Sequence, residues 1–131
     1  MKARISMPAE KPLVLAYGLS AERMAALAGL LEKLGFGWRE IQPEQLGLTV
    51  ESLTGDSLPE YSAFGGPAFP EEALVLCHLS KAELNWLLRE LRQEGLTVGR
   101  KAVLTPTNRN WTFGQLLEEI DREHRQRHAG W

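Results

Sequence analysis

The chain has 131 residues, of which 44% are hydrophobic and 24% charged, and its net charge is -2. That is enough for one domain with its own core, and too little positive charge for a nucleic-acid backbone to be the expected partner. A single cysteine excludes an internal disulfide, and the start lacks a signal-like apolar segment, so a soluble cytoplasmic protein with no membrane partner is the expectation.

Residues 1–11, "MKARISMPAEK", read as a flexible N-terminus ahead of a short, bounded apolar run at 13–17, as a buried strand has. Leu19-Ser20 follows, then Met24, Leu27, Ala28 and Leu31 at the i, i+3, i+4, i+7 spacing of an amphipathic helix. Ser20 is placed as its N-cap and Gly35 as its left-handed stop, with Leu19 and Met24 as a hydrophobic staple. A shorter strand is expected near 38–42 and a second helix from about residue 50. These elements make a first unit, 12–53.

The segment 54–72, "TGDSLPEYSAFGGPAFPEE", is too rich in glycine and proline for regular structure. Loops of this length are uncommon in compact domains. Tyr61, Phe64 and Phe69 suggest that it packs down, as a structural strap or as a lid.

A second unit, 73–128, repeats the first. Residues 72–96 lie on 12–36 at a constant offset of 60, so that Leu79, Ser80, Leu87, Leu91 and Gly95 fall on Leu19, Ser20, Leu27, Leu31 and Gly35. Beyond the helices the offset is 63, with Pro106 on Pro43 and Thr112 on Thr49. The strands are expected at 73–77 and 101–105, and the last helix from 113. Ser80 with Glu83, and Thr112 with Gln115, are capping boxes, stapled by Leu79 with Leu84 and by Trp111 with Leu116.

Agreement in element order as well as identity points to an internal duplication. Two β-α-β-α units then form a single α/β domain, with helices packed on one four-stranded sheet. The duplication favours a ferredoxin-like antiparallel sandwich over a doubly wound parallel sheet.

The chemistry-bearing residues are few. Cys77 and His78 are adjacent, but neighbours along a strand point to opposite faces and do not form a nucleophile–base dyad. Cys77 is expected to be a small buried hydrophobe. His78 stands where the first unit has Gly18, at the strand-to-helix turn and the carboxyl end where α/β proteins bind ligands. His124 and His128 have a metal-compatible i, i+4 spacing, but no third ligand is evident and a solvated helix end is the simpler reading. "GFGW" lacks the third glycine of a dinucleotide fingerprint and no phosphate-binding loop pattern occurs, so no cofactor is expected.

Trp86 lies about 150° from the centre of its helix's leucine stripe, on a face with Arg89. It packs under another element or anchors a partner surface. In "LTPTNRNWT", residues 104–112, Asn110 and Gly47 occupy equivalent positions and are expected to share a need for positive φ. Arg109 replaces Leu46 and sits ahead of a helix N-terminus, where it could hold a carboxylate or phosphate. A salt bridge to a nearby glutamate is the favoured alternative.

This stretch resembles the signature of a bacterial family known only as a domain of unknown function, a strand, then L-T-P-T-N-x-x-W-T, then a charged helix. The resemblance spans about 70–125 and implies a small soluble α/β domain, with no activity, cofactor or catalytic residue to transfer.

Two functions follow from the residues. The first is a non-catalytic domain that binds a protein partner or a second copy of itself through Trp86 and Arg89. The second is an enzyme or small-anion binder at the strand carboxyl ends, using His78, Thr105, Thr107, Asn108 and Arg109. No catalytic constellation supports an enzyme over a binding domain.

Overall fold

The segments Leu13–Tyr17 (β1) and Ala73–Cys77 (β3) read LVLAY and ALVLC, apolar at every position. Strands of that composition are covered on both faces. The computed structural model, which describes residues 11–55 and 71–129, with side chains as far as 126, shows this arrangement. The N-terminus and most of the 54–72 connection lie outside the described residues.

The chain order is β1, α1 (Ala21–Leu34), β2 (Gly37–Ile41), a 3-10 turn at Pro43–Gln45, α2 (Val50–Leu53), β3, α3 (Lys81–Gln93), β4 (Lys101–Val103) and α4 (Phe113–Ala129). One four-stranded sheet has the order β2-β1-β3-β4. β1 is parallel to β2 and β3 to β4, while β1 and β3 run antiparallel through the centre with Leu15 opposite Val75.

The sheet is therefore mixed, and the ferredoxin-like arrangement expected above does not describe it. Each β-α-β crossover returns to the position next to its own first strand, leaving no gap for another strand to enter. A doubly wound, all-parallel sheet is excluded by the antiparallel central pair.

Alternation divides the apolar strand residues between two cores. Val14, Ala16, Leu74 and Leu76 pack with Leu27 and Leu31 of α1 and Leu87 and Leu91 of α3. Leu15, Tyr17, Val75 and Cys77 pack on the opposite face with Val50 and Leu53 of α2 and Phe113, Leu117 and Ile120 of α4. Full burial of a leucine or phenylalanine contributes about 1.5–3 kcal/mol, so these two layers fix the sheet between the helix pairs.

The helix ends use the local chemistry read from the sequence. Ser20 Oγ accepts from Arg23 N–H at 3.2 Å. Ser80 and Glu83 exchange bonds of 3.1 and 2.8 Å, and Thr112 and Gln115 bonds of 3.1 and 2.9 Å. Gly35 and Gly95 have φ of 83° and 70°. Beyond them Phe36 N–H reaches Leu31 O at 2.9 Å and Leu96 N–H reaches Leu91 O at 2.8 Å, the six-to-one bond of a Schellman ending. Phe36 and Leu96 are both buried.

Candidate functional site

His78 follows the last residue of β3, and Leu104 and Thr105 follow β4, so parallel pairing brings these carboxyl ends side by side. A surface cavity of about 210 Å³ opens there. His78, Leu104, Thr105, Pro106 and Arg109 form one wall, and Glu51 of α2 with Thr54 just after it forms the other.

His78 is the one non-glycine residue with positive φ among the described residues, at 64°. Gly18, its counterpart 60 residues earlier, has φ 79°. The left-handed conformation costs a side-chain-bearing residue about 1–2 kcal/mol. The expectation that Gly47 and Asn110 would share positive φ is not met. Asn110 lies in a turn closed by Trp111 N–H to Asn108 O at 3.0 Å, and this turn uses negative φ.

Asn108 is buried and shapes the loop rather than lining the cavity. Its Oδ1 accepts from Thr105 N–H at 2.9 Å, its Nδ2 donates to Val103 O at 3.0 Å, and its own N–H donates to Thr105 Oγ1 at 3.1 Å. Thr107 is exposed and is not among the lining residues. Of the five residues proposed from sequence, His78, Thr105 and Arg109 meet at the cavity, and Asn108 holds the loop that presents two of them.

Arg109 forms an ion pair with Glu51, and each side chain remains half exposed, at 50% and 49%. Pairs this exposed contribute about 0.2–1 kcal/mol. The backbone already joins the two segments: Glu51 N–H donates to Arg109 O at 2.9 Å, Val50 N–H to Trp111 O at 2.9 Å, and Phe113 N–H to Leu48 O at 2.8 Å. Thr49 and Thr112 complete this seam as an isolated antiparallel bridge.

Sequence reasoning missed Glu51 and Thr54, which come from the opposite half of the chain. A signal was present in the alignment of Thr49 with Thr112. These two threonines pair in the bridge, and Glu51 lies two residues from Thr49.

The other candidates fall elsewhere. Cys77 is fully buried in the core beneath the sheet. Trp86 keeps 37% of its surface exposed and stacks edge-on against Phe36, with ring centroids 5.7 Å apart and planes at 81°. Arg89 is exposed. His124 packs over Gly99, its Cε1 being 3.1 Å from where a Cβ on that glycine would sit, and the His128 side chain lies outside the described residues. Among the described residues no group of three or more His, Cys, Asp or Glu side chains could hold a metal ion, and no helix is long and apolar enough to cross a membrane.

Residues 72–126 match the model of a family described as a domain of unknown function, DUF3783. The comparisons with curated proteins and with solved structures gave no match. The DUF3783 segment contains β3, α3, β4 and most of α4, and with them His78, Thr105 and Arg109. Glu51 and Thr54 precede it, so the cavity joins the DUF3783 segment to the half of the chain before it.

Proposed function

We propose that this protein is a small-molecule-binding domain whose site is the cavity at the carboxyl ends of β3 and β4. The ligand is small and polar and carries a carboxylate or phosphate that Arg109 receives. The convergence of His78, Thr105 and Arg109 on one cavity supports this reading above all. Binding rather than catalysis suits the groups as they stand, because the one acidic side chain in the lining is already engaged by Arg109. The reading takes the cytoplasm as the compartment, on composition alone.

The same proposal treats the chain as two copies of one β-α-β-α unit. Leu15 faces Val75 and Thr49 faces Thr112, each pair at the separation of the sequence alignment. The seam bonds are reciprocal, since exchanging the halves turns Val50-to-Trp111 into Phe113-to-Leu48. In the first copy the place of Arg109 is taken by buried Leu46. The place of His78 is taken by Gly18, where an added Cβ would come within 2.9 Å of Glu71 O. Divergence at these positions would leave one copy filled and the other open for a ligand.

A thermal-shift screen of the full chain against carboxylated and phosphorylated metabolites, repeated on Arg109→Ala, tests the reading. Stabilising hits that vanish in the variant are expected. Hits that survive the substitution, or no hits, would remove Arg109 from any binding role.

A second reading, a partner or self-association surface around Trp86 and Arg89, is favoured by the exposure that the indole retains. Its stacking on Phe36 supplies an internal reason for the tryptophan, which ranks this reading second. Sedimentation across a concentration series separates the two, because a monomer throughout would remove self-association.

A further inference from the structure

Resting on the binding reading above, we infer that the cavity takes a zwitterion, a free α-amino acid or a molecule of the same charge pattern, held by its carboxylate on Arg109 and its ammonium on Glu51. The backbone bonds from Glu51 and Val50 hold α2 against the 105–112 loop without the ion pair of Arg109 with Glu51. The pair is half exposed on both sides and adds little to that seam. Parting it needs only changes of side-chain rotamer, because both backbones are fixed at the distance that lets the charges meet.

A simple anion that reached Arg109 would displace Glu51 and leave two negative groups side by side. A simple cation on Glu51 would strand Arg109 in the same way. A zwitterion exchanges one ion pair for two, and its carboxylate can take the guanidinium in a two-bond fork.

The hydroxyls on the two walls have matching polarity. Thr105 Oγ1 already accepts from Asn108 N–H, which leaves its proton to donate to a carboxylate on the Arg109 side. Thr54 Oγ1 donates its proton to Glu51 O at 2.7 Å, which leaves its lone pairs to accept from an ammonium on the Glu51 side. The volume, about 210 Å³, falls below the roughly 300–1,000 Å³ of drug-sized pockets. It equals the space of roughly seven water molecules, which suits a small amino acid.

The test is an NMR titration of the full chain, following the amide signals of Thr54, His78, Thr105 and Arg109. L-Alanine and L-glutamine serve as zwitterions, acetate and phosphate as anions, and ethylammonium as a cation. The amino acids are expected to shift these signals and to bind about 1.4- to fivefold tighter than acetate, the worth of one added exposed ion pair. Glu51→Gln should erase that preference while acetate still binds, and Arg109→Gln should abolish binding of both. Acetate or phosphate binding as tightly as L-alanine to the natural chain would overturn the zwitterion while leaving an anion site. Signals unmoved by every probe would overturn the cavity reading with it. The natural chain alone decides both questions, whatever the variants do to folding.

Discussion

Thr49 and Thr112 face each other in an antiparallel bridge, and each directs its hydroxyl into the first turn of its own helix. Thr49 Oγ1 accepts from Ser52 N–H and Thr112 Oγ1 from Gln115 N–H, both at 3.1 Å. The contact between the two residues is thus made by backbone, while the side chains serve separate helices. Thr112→Ala should cost about 0.5–2 kcal/mol, the usual price of a lost N-cap. Thr49→Ala should cost less, because α2 has only four residues to lose. Although the residues are neighbours, they share no side-chain partner, so the double variant should be additive within about 0.5 kcal/mol. Urea unfolding of the single and double variants measures this, and a larger coupling would mean that the hydroxyls act across the bridge.

Asp121 on α4 gives stability an acid dependence of known sign. Its Oδ1 accepts from Arg100 Nε at 2.8 Å and its Oδ2 pairs with Arg125 at 2.9 Å. The Arg100 hydrogen bond, helped by the charge of Arg125 and opposed by partial burial, holds this carboxyl below its ordinary value of 3.8. The folded state therefore binds the proton more weakly than the unfolded chain does. The contribution is complete above the unfolded value and is lost as pH falls through the lower folded one. Asp121→Asn should be less stable than the natural protein near neutrality, and the gap should narrow below about pH 4. Urea midpoints measured from pH 3 to 7 would show the two curves converge on the acid side, and a constant gap would contradict this.

What was legible in the sequence was local. The caps at Ser20, Ser80 and Thr112 and the stops at Gly35 and Gly95 each depend on bonds within a turn or two, so spacing alone exposes them. Sheet order was not legible, since a β-α-β pattern fits several orders. Even so, the unbroken apolar runs LVLAY and ALVLC argued for cover on both faces, and an antiparallel sandwich open on one side does not provide it. Asn108 looked like a ligand residue because a polar side chain in a loop has no visible partner until the chain folds back on Val103 O. Glu51 was invisible because it reaches Arg109 across 58 residues of sequence.

Asn108 should behave as a structural residue. Removing its side chain in Asn108→Ala takes these partners from Thr105 N–H and Val103 O in a part-buried setting, at a cost of about 0.5–1.5 kcal/mol for each lost bond. Asn108→Asp keeps the acceptor for Thr105 N–H but sets a carboxylate oxygen against Val103 O, so it should fail to rescue. Thermal unfolding of the two variants checks this. Natural stability in Asn108→Ala would return the residue to the list of candidate ligand contacts.

Gly18 and His78, just after β1 and just after β3, both hold left-handed backbone, with φ of 79° and 64°. Their surroundings are opposite. A Cβ at Gly18 would press within 2.9 Å of Glu71 O and 3.1 Å of Glu72 Cα, both backbone atoms that cannot swing aside. Gly18→Ala therefore combines conformational strain with a clash and should destabilise by more than about 2 kcal/mol. At His78 the side chain is accommodated at the cavity wall, so the left-handed backbone is held without a clash. His78→Gly removes about 1–2 kcal/mol of left-handed strain and returns roughly 0.4–1 kcal/mol through the freer unfolded chain. These two backbone terms together favour the variant by about 0–1.6 kcal/mol, from which the loss of the interactions His78 makes is subtracted. The same variant should bind ligand less well if the imidazole contributes to the site. Unfolding midpoints paired with the titration above measure both effects. Stability gained together with affinity lost is the signature of a residue retained for binding despite its backbone, whereas a marked loss of stability would make His78 a structural residue like Asn108.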